Sequence, residues 1–130
     1  MRNLKLSHVQ GDYAICKLDP DAESPAWAAH GEFYSITRTA HELSIICLFE
    51  QVPEQIHCQA GWRILKIEGP FEFSEIGVLA AITAPLAEAR ISLLTISTFD
   101  TDYIFLQEDN YLQALQILEA AGHSIIPDAE

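Results

Sequence analysis

The chain has 130 residues, 49% hydrophobic and 20% charged, with a formal net charge of −12. That length buries one sizeable core or two small ones fused side by side, and the apolar content is too high for a disordered chain. Lys and Arg together number only 7; Lys5, Lys17, Arg63 and Lys66 form no basic stripe, so nucleic acid and anionic membranes would be repelled.

The start, Met1 to Leu6, lacks the apolar core of an export signal, and no run reaches the roughly 18 apolar residues of a membrane-spanning helix. A cytoplasmic protein is expected. Ala14-Ile15-Cys16-Lys17 reads as a strand. A short helix is expected near Ser24 to His30, started by Pro25. Ile36-Thr37-Arg38-Thr39 and Leu43-Ser44-Ile45-Ile46 follow as β-rich runs. Cys16, Cys47 and Cys58 are odd in number, and the first two lie within strand-like runs, which predicts reduced thiols rather than a disulfide framework.

From Trp62 the punctuation is sharper. Arg63 to Glu68 is strand-like and ends at Gly69-Pro70. Ser74 can cap a helix reaching about Arg90, with Ile76, Leu79, Ile82 and Leu86 at helical spacing; Pro85 removes a donor and is expected to kink it. Ser92 to Thr98 and Tyr103 to Gln107 predict a hairpin turning at Asp100-Thr101-Asp102. Asn110 can cap a helix from Tyr111 to Ala121, with residues 111, 112, 115 and 118 on its apolar face and Gly122 as its stop. His123 to Ile126 is a final edge strand. The order βαββαβ predicts an α+β, ferredoxin-like unit, an antiparallel sheet with helices on one face.

The first half reads as an abbreviated copy of the second. Thr37 to Ile46 parallels Thr98 to Leu106, while the stretch before Thr98 is longer by about eleven residues, or three helical turns. The expected domains are residues 1–60, an abbreviated unit, and residues 61–130, a complete one, packed side by side.

Phe33 to Thr39, Glu42 to Cys47, Gly61-Trp62-Arg63 and Ile96 to Tyr103 together resemble a family of small bacterial ACT-domain proteins. The chain is also similar to the ACT pairs of aspartate kinases and of the animal cytosolic arginine sensor. The resemblance implies tandem ACT units that bind an effector amino acid, with no catalysis of their own and no cofactor. It places the ligand near Phe73, Ser74, Glu75, Ile76, Gly77 and Val78, and near Ser97, Thr98 and Asp100. The apposed surface comes from Ser35 to Thr39 or from a symmetry mate, which allows for a homodimer.

The residue chemistry is compatible with that placement. A helix start after Ser74 offers unpaired N–H groups to a carboxylate, Gly77 permits close approach, and Asp100 can meet an ammonium group. Each has a plainer alternative: Gly77 serves tight packing, Asp100 and Asp102 serve the turn, and Ser97 and Thr98 cap local backbone. His41, Cys47, His57 and Cys58 match no familiar zinc spacing, and no phosphate-binding glycine motif is present. A ligand-free module that assembles dimers is the competing expectation.

Overall fold

The structure is a computed structural model that describes residues 3–69 and 77–127. The backbone divides into a smaller compact unit, Gln10–Trp62, and a larger one, Met1–Val9 with Arg63–Glu130. Two long strands, β1 (Lys5–Leu18) and β4 (Cys58–Ile67), contribute to both.

In the smaller unit, β1 pairs antiparallel with β3 (Leu43–Leu48), from Tyr13 opposite Leu48 to Leu18 opposite Leu43. β3 pairs antiparallel with β2 (Ser35–Arg38). Alternate residues of β1 and β3 face one side, so Ala14, Cys16, Leu43, Ile45 and Cys47 form a core with Ala28. The Thr39 hydroxyl accepts the N–H groups of His41 and Glu42 at 3.1 and 3.2 Å, which shapes the β2–β3 turn. Between Ser24 and His30 the structure has a single 3₁₀ turn, Ala26–Ala28, after Pro25. Only Ala28 of that turn is buried, so no apolar stripe supports the nucleation and growth of a longer helix.

The larger unit carries α1 (Val78–Glu88), β5 (Leu93–Ser97), β6 (Asp102–Gln107), α2 (Tyr111–Ala120) and β7 (Ser124–Ile126) after β4. β5 and β6 form the expected hairpin, from Leu93 opposite Leu106 to Ser97 opposite Asp102. β6 lies between β5 and β4, and β1 is the neighbour of β4 on its other side. The final strand β7 joins β1 in parallel, with Lys5 opposite Ser124 and Ser7 opposite Ile126. The chain's beginning thus supplies the neighbour of its last strand.

Both helices bury one stripe in a shared core. Val78, Ile82 and Leu86 of α1 and Tyr111, Ala114 and Leu118 of α2 meet Leu4, just before β1, and Leu6, Leu65, Ile67, Ile104 and Leu106 from the strands. Leu112, expected on the apolar face, is 74% exposed. Positions 111, 114 and 118 define the buried stripe, and residue 112 sits about 100° around the helix from residue 111.

Helix α1 continues through Pro85 to Glu88. The N–H of residue 85 would ordinarily donate to the Ala81 carbonyl, and proline has none. His123 Nε2 lies 3.0 Å from that same carbonyl. Its Nδ1 accepts the buried Leu4 N–H at 3.0 Å, so the ring is neutral and its proton is on Nε2. His123 is buried, and one imidazole both replaces the missing helical donor and fixes the start of β1. Gly122, at φ +101°, turns the chain toward it in a conformation that a side chain would resist, while the His123 N–H closes back on the Leu118 carbonyl at 3.1 Å.

Candidate ligand-binding site

The described part of the predicted site lies in the larger unit, at the start of α1 and at the β5–β6 turn. Phe73, Ser74, Glu75 and Ile76 lie outside the described residues. Gly77 is the residue before α1, at φ +84° and ψ 3°. Beyond its neighbours in the chain, no described atom lies within 4 Å of the position a Cβ would take there. The first helical bond runs from the Ala81 N–H to the Gly77 carbonyl at 3.0 Å, so the N–H groups of Val78, Leu79 and Ala80 precede the helical ladder and have no acceptor within it. The Val78 side chain itself is buried in the core, which leaves its backbone as the part that a ligand can meet.

The β5–β6 turn is held by its own hydroxyls. The Thr98 N–H donates to the Thr101 carbonyl at 2.8 Å, and the Thr98 hydroxyl donates to the same carbonyl at 3.1 Å. The Ser97 hydroxyl donates to the Asp102 carboxylate across the strand ends. Asp102 therefore joins the two strand ends where the register places it opposite Ser97. Asp100 sits at the exposed tip, and its carboxylate has no hydrogen bond among the described residues. Thr101, which sequence reasoning treated only as a turn former, is buried and donates its hydroxyl to the Ile67 carbonyl at the end of β4. That bond ties the turn to the strand that precedes α1, and no local pattern in the sequence announces it.

A second polar cluster in the larger unit also escaped the sequence reading. The Arg63 guanidinium lies 4.3 Å from the centre of the Tyr111 ring and 3.3 Å from the Glu108 carboxylate. The Tyr111 hydroxyl meets His8 Nδ1. Arg63 lies midway along β4 and Tyr111 is the first residue of α2, and the cation–π contact makes the buried tyrosine ring compatible with a charged neighbour.

In the smaller unit, Ser35 to Thr39 comprises β2 and the residue after it. The Arg38 guanidinium is engaged by the carbonyls of Pro20 and Ala22, the latter at 2.6 Å. Arg38 thus clamps the loop that leads to the 3₁₀ turn. In the same unit, burial pushes the Cys16 thiol up to about 12, with the neighbouring Cys47 and Cys58 adding to it. Burial likewise raises Cys47 and Tyr13 above their ordinary values. Among the described residues, no group of three or more His, Cys, Asp or Glu side chains is arranged to hold a metal ion.

Comparison with known proteins matches residues 57–120 to a model described as ACT domain and residues 11–55 to a model described as an N-terminal domain. The Cytosolic arginine sensor for mTORC1 subunit 1 of Homo sapiens is 41% identical over 59 residues, which cover 45% of this chain and 18% of that protein. The chain thus matches less than a fifth of the length of that relative. A solved structure of a protein from Agrobacterium tumefaciens is 35% identical, covers 100% of this chain and 97% of its own, and has a TM-score of 0.94. The ligand-free regulatory subunit of aspartate kinase from Thermus thermophilus, 13% identical, covers 89% and 93% with a TM-score of 0.58, a likeness of fold.

Proposed function

This chain belongs to the ACT-domain family, and on that premise we propose that it is a regulatory protein that binds an amino acid and catalyses no reaction itself. The observation that carries this reading is the start of α1, where Gly77 takes a left-handed conformation and the helical ladder begins only with the Ala81 N–H on the Gly77 carbonyl. The first-turn N–H groups of α1 suit a carboxylate, and Asp100, at the tip of a turn held rigid by Thr98 and Thr101, suits an ammonium group. A cytoplasmic location belongs to the same proposal; among the described residues, no helix is long and apolar enough to cross a membrane.

Thermal unfolding measured against each of the twenty amino acids tests the proposal. A true effector at about 100 times its dissociation constant adds about 2.7 kcal/mol of stability, a shift of several degrees for a chain of this size. With that effector, Asp100→Asn weakens binding about tenfold or more, the range for a lost charge-assisted contact. Asp102→Asn leaves the affinity near its starting value and lowers hairpin stability. A flat response to all twenty amino acids refutes the reading.

One observation favours a ligand-free assembly module instead: Phe99 at the β5–β6 tip is 78% exposed and Leu94 on β5 is 43% exposed. A melting temperature that rises with protein concentration and ignores every amino acid would establish that alternative.

A further inference from the structure

The three cysteines of the chain come together in the smaller unit. Cys16 and Cys47 are buried in its core and Cys58 is half-buried against them. Cys47 and Cys58 are the neighbours that, after burial, raise the Cys16 thiol above its ordinary value. Their positions on the strands decide which pair can react.

The Lys17 N–H donates to the His57 carbonyl at 3.0 Å, and the Glu68 N–H donates to the Lys5 carbonyl at 2.8 Å. Numbers rise along β1 as they fall along β4, so these strands run antiparallel. In such a ladder, a bond from the residue after one member to the residue before the other flanks a non-hydrogen-bonded pair, here Cys16 and Cys58. Pairs of that kind have Cα atoms about 4.5 Å apart with their side chains close. That separation falls within the roughly 4.4–6.8 Å found for disulfides. Cys47 is placed differently: it faces Ala14, while Cys16 faces Ile45. Cys16 and Cys47 are diagonal neighbours, about 7–8 Å apart, beyond the disulfide range.

Access comes from a cavity of about 230 Å³ whose lining includes Cys16 and Cys58 together with Lys17, Glu42 and His57. We propose that Cys58 and Cys16 are a thiol modification site at which a small organic disulfide closes a disulfide bond between β4 and β1.

The exchange balances in two steps. Cys58 Sγ attacks one sulfur of the reagent, whose S–S bond breaks, and the departing thiolate takes up the Cys58 proton. Cys16 Sγ then attacks Cys58 Sγ, and the second reagent thiolate leaves with the Cys16 proton. Two protein thiols are oxidised and one reagent disulfide is reduced to two thiols. Cys58, half-buried where Cys16 is buried, meets the reagent first, and Cys16, held beside it, closes the bridge within the chain.

The test treats the reduced full chain with hydroxyethyl disulfide, removes the excess, and counts thiols after denaturation in parallel with peptide mapping. The titratable thiols fall from 3 to 1, the map shows a Cys16–Cys58 bridge, and dithiothreitol restores the starting count. Cys58→Ser keeps both of its remaining thiols free under the same treatment. Retention of every thiol, a persistent mixed disulfide on Cys58 without closure, or a bridge that uses Cys47 would each overturn the proposal. The mapping of the native chain decides the matter even if the variant fails to fold.

Discussion

Replacing His123 by Ala removes the buried imidazole that two backbone groups share. The Leu4 N–H, bonded at 3.0 Å in a buried position, is left without an acceptor, at a cost of about 1–3 kcal/mol. The Ala81 carbonyl, in a partly buried position, loses the donor that stands in for the N–H of Pro85, at a further cost of about 1 kcal/mol. Urea denaturation of His123→Ala should therefore show a loss of about 2–4 kcal/mol. Pro85→Ala supplies the argument's control, because an alanine at position 85 returns a backbone N–H to the Ala81 carbonyl. In that background His123→Ala should cost about 1 kcal/mol less, since only the Leu4 N–H is stranded. Equal losses in the two backgrounds, within the few tenths of a kcal/mol expected of independent sites, would refute the exchange of donors between Pro85 and His123.

Two further outcomes follow from the backbone and from the thiols. Arg90 sits just past α1 with φ +60°, where its N–H closes on the Ala87 carbonyl at 3.0 Å and that of Ile91 on the Leu86 carbonyl at 3.0 Å. Arg90→Gly should raise stability by up to about 1 kcal/mol in urea denaturation, because glycine adopts this conformation without the Cβ clash. Cys16, raised from 9.0 to about 12 by burial first and by its thiol neighbours second, binds its proton more tightly folded than unfolded. Its contribution is complete below about pH 9 and is lost as pH rises toward 12. Chemical denaturation across that window should show stability falling with pH, and Cys16→Ala should flatten the fall; an unchanged slope would refute the assignment to Cys16.

The second half of the chain was legible because its signals are local. Apolar residues recur at helical spacing in α1 and α2, β-branched and aromatic residues mark β5 and β6, and Gly122 ends α2, whereas Asn110, expected to cap α2, sits in a 3₁₀ turn before it and makes no side-chain cap bond. The first half offered less. β1 runs through Ser7, His8, Gln10, Gly11 and Asp12, a polar stretch that hides a strand shared by two units, so only Ala14 to Lys17 stood out. For the same reason, the partner of β7 could not be read: its pairing with Lys5 to Ser7 joins opposite ends of the chain. Pro85 signalled a missing helical donor, but nothing near it in sequence pointed to His123 as the replacement. Leu112 shows the limit of composition alone, since an apolar residue one position off the buried stripe faces water.

The hydroxyl-bearing residues of the β5–β6 turn bear on how a ligand would be recognised there. Ser97, Thr98 and Thr101 all form hydrogen bonds within the protein, so they hold the turn rather than offer themselves first to a ligand. Binding gains when the receiving geometry is already fixed, because less ordering entropy is lost on association. Thr101 extends that fixation beyond the hairpin, through the Ile67 carbonyl, to the end of β4. The proposed division of labour then has a physical basis: the threonines and the Ser97–Asp102 pair set the turn, and the exposed carboxylate of Asp100 supplies charge from a support that need not reorganise. Charge placed on such a support discriminates between ligands by where their ammonium lies, which is the property an amino-acid regulator requires.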